Sequence, residues 1–273
     1  MIKEKFNAEV TYTEKVSQSD QEEIFRGYAT QEYDVIFGHG FEFGDSAKKI
    51  AGEFPEVKFI IISSDVYQAP NVASFNIDTY EQGFLQGVVA GLTTKSNKVG
   101  AIGGMDIPPI TNALKGYEAG ANYINKGIEV FTAVTGDFED AGKVKETAIA
   151  MIEKGADVVM ANADIAGMGA IEAAKGRNIY AIGCDSDQNS LAPDTVVTSG
   201  VSDTPLGMET MIEYILNGKF KPEYYDLGIT EGVVYLAPYH GFENKLSPEI
   251  KAKIEQVTND IKSGKLDVHA LKD

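Results

Sequence analysis

The run VKFIIIS, residues 57–63, constrains this chain more than any other stretch, because it is almost continuously apolar and rich in β-branched residues. A strand of that kind is covered on both faces, which points to a parallel sheet whose helical crossovers lie against it. The neighbouring segments agree. AEVTYTEK reads as a strand, DQEEIFRGYATQ as a helix polar on one side, YDVIFGHG as a short buried strand and DSAKKIAGEF as its helix. Next come the strand NVASFNID, the apolar helix TYEQGFLQGVVAGLTT, the strand KVGAIGG and the helix TNALKGYEAGANYINKG, with Pro108 and Pro109 just before its start. Gly83, Gly87 and Gly91 recur every four residues in the apolar helix. Glycine weakens a helix, so that spacing predicts a face that needs close packing. From IEVFTAVTGDF the alternation restarts: helix 141–154, strand 156–162, helix 167–176, strand 178–184, strand TVVTSGV and helix PLGMETMIEYILNG. The strand GVVYLAP and the Ser-Pro-started helix SPEIKAKIEQVTNDIKSG close the pattern. Two runs of the same grammar predict an α/β fold of two parallel-sheet lobes.

Ligands in such sheets bind beyond the carboxyl ends of the strands. The informative residues therefore lie in GHGFEF, SSDVY, GGMDIPP, GDFED, NADIAGMG and CDSDQN. A dinucleotide fingerprint fails its test: Gly167 and Gly169 open a helix, but Glu172 stands where a third small residue is needed and would oppose a pyrophosphate. No metal site is expected, since His39, His240 and His269 have no ligand spacing, and Asp185 and Asp187 lack a calcium-loop pattern. Ser63, Ser64 and Ser199 sit at strand ends without a nucleophile elbow or a histidine cue, so catalysis is not expected. The acids outnumber the bases 41 to 24, for a net charge of −17, and no basic cluster offers a nucleic-acid surface. The single cysteine, Cys184, reads as a buried structural thiol. A binding module explains more: Phe41, Phe43, Tyr67 and Phe138 could sandwich a flat ring, and a carboxylate such as Asp185 could accept from ring nitrogens or sugar hydroxyls.

At this point FPEVKFIII, PNVASFNIDTYEQGFLQGVVAGLTTKSNKVGAIGGMDIPPI, GYEAGANYINKGIEV, GDFEDAGKVKETAIAMIEKGADVVM and IGCDSDQNSLAPDTVVTSGV carry a resemblance. They are similar, in order and over nearly the whole chain, to the basic membrane protein family. These are substrate-binding lipoproteins related to bacterial purine-nucleoside receptors of ABC transporters. The resemblance implies a type I periplasmic-binding-protein-like fold with two lobes around a ligand cleft. It places residues 1–105, with a return of about 236–264, in the first lobe and 106–235, with the extreme C-terminus (265–273), in the second. It implies a monomer without cofactor, an ABC permease as partner, and an extracytoplasmic location through a lipid anchor not in this chain. MIKEKFNAEVTYTEKV looks like a helix tail followed by the second strand of an α/β unit, so the first lobe is expected to lack its N-terminal strand, as in a trimmed chain.

Carried over by residue, Phe138 resembles the aromatic that stacks on the base, Gly40 and Phe41 the first-lobe wall, and Asp185 the carboxylate that holds ribose hydroxyls. Ser63 stands about where relatives have an aspartate, and Ser202 about where they carry a lysine. Asp164 and Ile165 replace two glycines of the relatives' AGGTG, which adds an acceptor for an exocyclic amine, unless Asp164 caps the following helix. An acidic pocket without the cation favours a neutral or cationic, donor-rich ligand: a purine nucleoside, or a free base such as adenine. A metabolite-sensing regulator of the same fold and a nucleoside-processing enzyme are the alternatives.

Overall fold

The structure is a computed structural model that describes residues 2–271. It opens with a short helix α1 (Ile2–Phe6), whose Lys5 reaches Glu209 and Glu213 at 2.9 Å each. Residues 7–20 form neither helix nor strand, so AEVTYTEK is not the strand expected of it. Its apolar residues face solvent, with Val10 at 51% and Tyr12 at 78% exposure. Alternation alone does not make a strand; a pairing edge is required, and none takes this segment.

Regular alternation begins with α2 (Gln21–Thr30), β1 (Val35–His39), α3 (Gly44–Ala51), β2 (Lys58–Ile62) and β3 (Val72–Ile77). There follow α4 (Thr79–Thr93), β4 (Lys98–Gly103), α5 (Pro108–Ile124), β5 (Glu129–Val134), α6 (Ala141–Glu153) and β6 (Val158–Asn162). Pro108 and Pro109 occupy the first turn of α5 rather than preceding it, where a missing N–H leaves no bond unmade. Then come α7 (Met168–Arg177), β7 (Tyr180–Asp185), β8 (Val196–Ser202), α8 (Thr204–Leu216), β9 (Tyr224–Leu227), β10 (Val234–Leu236) and α9 (Pro248–Lys262).

The chain divides into two compact units. The first runs to Ile77 and takes back Thr204–Leu227; the second holds Asp78–Asp203 and the chain from Gly228 on. In the first, a four-stranded sheet has the order β1-β2-β3-β9 and is parallel throughout. Strand β9, YYDL, was not expected; it is recognisable only as an edge for β3, pairing Ser74 with Tyr224. Phe25, Ile36, Ile50, Phe59, Ile61 and Val72 pack this unit's core, with Phe43 against it. In the second, six strands run β10-β8-β7-β6-β4-β5, with only β10 antiparallel.

These units divide the chain elsewhere than at the expected boundaries near 105 and 235. The reason is packing. A boundary near 105 puts helix α4 and strand β4 in the first lobe, but α4 lies backbone-to-backbone on α5. A Cβ on Gly83 would stand 2.0 Å from the Ala113 carbonyl oxygen, and one on Gly87 2.0 Å from that of Tyr117. Reciprocally, Cβ atoms on Gly116 and Gly120 would stand 2.1 and 2.0 Å from the Tyr80 and Phe84 carbonyls. The four-residue glycine spacing is thus the contact face of a helix pair. Conversely, α8 and β9 return to the first sheet; Gly207 of α8 leaves room for the Phe75 ring.

Gly87→Ala, which would drive a methyl into a carbonyl, is expected to destabilise the protein by about 2–4 kcal/mol. Gly27→Ala, in α2 with nothing within 4 Å of the added atom, is expected to stabilise by about 0.5–1 kcal/mol. Chemical unfolding of the two variants beside the parent checks the opposite signs.

Candidate functional site

In each unit the candidate residues fall at carboxyl ends of parallel strands. In the first, the chain leaves β1 through Gly40, whose φ of 122° is open to glycine and strained for other residues. Its N–H donates to the Ile62 carbonyl at 3.0 Å, which continues the β1–β2 ladder by one residue. Phe41 follows at 75% exposure, an aromatic ring without cover from this unit. Ser63 leaves β2 in a left-handed conformation, φ 60°, and its N–H donates to Phe75 at 3.0 Å. Gly40, Phe41 and Ser63 therefore share one corner of the first sheet. Phe43 does not join them: its ring lies 5.8 Å from that of Phe25, in the core. Tyr67 is exposed.

The second unit gathers more. Phe138 follows β5, and its ring lies where a Cβ on Gly104 would be, within 2.5 Å of that position. Glycine after β4 is what lets the ring lie there. Asp137 donates its N–H to the Gly104 carbonyl at 2.7 Å and takes the Glu139 and Asp140 N–H groups on its side chain. Those backbone donors hold the Asp137 carboxyl below its usual range. The Phe138 carbonyl accepts from Ala166 at 2.9 Å, which ties the aromatic loop to the 3-10 turn Asp164–Gly167 after β6. Asp164 begins that turn, exposed and left-handed (φ 48°). It is the N-cap of neither the turn nor α7; those positions are Ala163 and Gly167. Beside it, Ile165 is 56% and Met168 38% exposed, apolar surface at a strand end.

Asp185 ends β7, also left-handed at φ 63°. Its carboxylate accepts from Gln82 Nε2 at 3.0 Å. It keeps an opening to solvent, yet the surrounding chain strips enough water to raise its affinity for a proton, and the charge of Asp164 adds to the effect. Asp164 and Asp185 thus share one field. Ser202 ends β8; its neighbour Val201 pairs with Asp185, and its Oγ has no hydrogen-bond partner among the described residues. Across the sheet order, Ser202, Asp185, Asp164 and Phe138 line the carboxyl edge of one sheet. Cys184 is buried, and burial pushes its thiol up, as a structural cysteine requires.

Two elements were not foreseen. Gln82 and Gln86, amides inside the apolar helix α4, are fully buried. Their signal, glutamines one turn apart among apolar residues, is visible in YEQGFLQG. The other is a metal-like trio: Asp78, Glu81 and His269, with ligand-type atoms all within 4.8 Å of one another. Protein groups already satisfy much of it. Asp78 accepts from the Glu81 N–H at 3.0 Å and meets His269 Nε2 at 2.6 Å, while Glu81 accepts from Ile229 at 2.6 Å.

Burial, with the Asp78 charge, pushes the Glu81 carboxyl up to about 7. The folded state then holds a proton that the unfolded chain releases, so this group's stabilising contribution is intact below about pH 4.5 and is lost as pH rises towards 7. Glu81→Gln is expected to flatten that fall by about 1–3 kcal/mol between pH 5 and 8. Denaturant unfolding at several pH values, parent against variant, measures it.

The family model for ABC transporter substrate-binding proteins of the PnrA-like type matches residues 1–272. Basic membrane protein A of Borreliella burgdorferi is 32% identical over 271 residues, 95% of this chain and 78% of that protein. An ABC transporter nucleoside-binding protein of Lactococcus lactis is 32% identical over 276 residues, 94% of this chain and 77% of that one. Among solved structures, a solute-binding protein of an ABC transporter system from Conexibacter woesei superposes with a TM-score of 0.79 at 25% identity, covering 97% of this chain and 89% of that one. The two-lobed α/β architecture is that of type I periplasmic-binding-protein-like solute receptors, which bind without catalysis.

Proposed function

Because this chain belongs to the PnrA-like family of ABC transporter substrate-binding proteins, we propose that the solute it binds is a purine nucleoside or a free purine base. The Lactococcus lactis relative, named as nucleoside-binding, supports that choice of ligand class. The observation that carries the reading is the strand-end arrangement of the second unit: a half-buried Phe138 ring laid on Gly104, with Asp164 and Asp185 on the same sheet edge. An aromatic ring that can take a flat heterocycle, next to acceptors for amines and hydroxyls, suits a donor-rich purine and disfavours a phosphate.

In this reading Phe138 stacks on the base, Asp164 accepts from an exocyclic amine and Asp185 accepts from ribose hydroxyls. Ser202 offers a neutral hydroxyl on the sugar side. Gly40, Phe41 and Ser63 of the first unit supply further contacts. Binding proceeds with lobe closure, and the ligand-bound form is what a membrane permease recognises. In this reading the protein works outside the cytoplasm as a monomer.

Calorimetric titration with adenine, adenosine, other nucleosides, sugars and amino acids tests it. Specific binding of a purine is expected. Phe138→Ala is expected to weaken that binding about 10- to 100-fold, the range for losing one base–aromatic stack. Binding of a sugar or amino acid in place of every purine would overturn the ligand assignment while leaving the solute-binding role.

A further inference from the structure

Helix α4 carries two glutamines that ligand stacking and hydrogen bonding to the strand ends do not explain. Both side chains are 0% exposed. Gln86 Nε2 donates to the Gly183 carbonyl at 2.8 Å. Gln82 Nε2 donates to the Gly200 carbonyl and to Asp185 Oδ1, both at 3.0 Å. Glycine at 200 is what admits Gln86, since a Cβ there would stand 2.7 Å from its Cγ and Cδ. Each amide also leaves its Oε1 buried without a partner among the described residues. A buried, half-satisfied amide is expensive, and an apolar side chain would fill the same space more cheaply. Gln86 fastens a strand and lies against the Cys184 thiol, so it reaches Asp185 only through that residue. Gln82 does something else: it reaches a carboxylate at the site.

The groups that bear on Asp185 come from three elements. From the turn after β6, the Asp164 charge favours its protonation, as does the loss of water around it. From α4 the Gln82 amide, and from β7 the Cys184 thiol, favour the ion. Gln82 is the donor anchored at a second point, the Gly200 carbonyl, so its position is fixed from outside the carboxylate.

We propose that Gln82 is a positioning residue for ligand recognition, whose amide, pinned on the β8 backbone, orients the Asp185 carboxylate and keeps it an acceptor. The inference rests on the reading of Asp185 as a ligand contact given above, and its test has a readout that needs no ligand. Carbon-13 NMR titration of Asp185, assigned with Asp185→Asn, is compared in the parent, Gln82→Met and Gln86→Met. Removing a hydrogen bond to a charged group at a partly solvated site is expected to move the Asp185 titration about 0.5–1 pH unit upward in Gln82→Met. Gln86→Met, which removes an equally buried bond but no direct contact to Asp185, is expected to move that titration by less than half as much. If Gln82→Met does not fold, Gln82→Asn, whose shorter amide falls short of Asp185, takes its place with the same expectation.

With adenosine as probe, Gln82→Met is expected to raise Kd about 10-fold and to change adenine binding less than about 2-fold, because only the ribose meets Asp185. An unmoved titration overturns the inference. So does a moved titration with adenosine and adenine weakened equally, which would mean a merely structural loss. If the parent binds neither purine, the ligand assignment fails, and the titration by itself decides whether Gln82 controls Asp185.

Discussion

The contact between α4 and α5 organises the second unit. Carbonyl oxygens of one helix occupy the space of missing Cβ atoms on the other, at Gly83 and Gly87 and again at Gly116 and Gly120. Such a close approach leaves no freedom to slide or rotate, because each helix is a template for the other's backbone. With α4 fixed in rotation, its remaining faces become precise. One presents Gln82 and Gln86 to the ends of β7 and β8, and the N-terminus presents Asp78 and Glu81 to Ile229 and His269. The glycine face thereby fixes which polar groups reach the sheet edge.

That edge brings together the side chains proposed to hold the solute. Asp164 and Asp185 both leave their strands in the left-handed region, which aspartate tolerates better than most residues. The Asp164 charge and the loss of water make Asp185 harder to ionise, and the Gln82 amide is the buried donor that opposes them. Phe138 gains its place in a different way, from the absence of a side chain at Gly104. Ile165 and Met168 add apolar exposure beside Asp164.

Legibility differed by element for physical reasons. Strands β2, β6 and β7 were plain, because a strand buried on both faces must be apolar along its length. The glycine spacing of α4 correctly announced close packing, but not the partner, and so the boundary near residue 105 placed α4 with the other lobe. Strand β9 was missed because an edge strand of four residues carries little signal of its own. AEVTYTEK misled in the opposite way, offering alternation without an edge to pair with. Among site candidates, Phe43 looked like Phe41 by position, yet it turns into the core against Phe25. Gln82 was overlooked because an amide in a helix is unremarkable until its burial is known.

The sequence by itself determined the alternating α/β grammar, the positions of the strand ends, the identity of Phe138, Asp164 and Asp185 as residues placed there, and membership of a solute-binding family. These are local properties: periodicity, residue type and motif order are all written along the chain. Tertiary structure alone decided which segments share a unit, that α8 and β9 return to the first sheet, and that Gln82 meets Asp185 across 103 positions of sequence. Such facts depend on which surfaces meet, and a meeting between distant segments is fixed by packing that no single segment encodes.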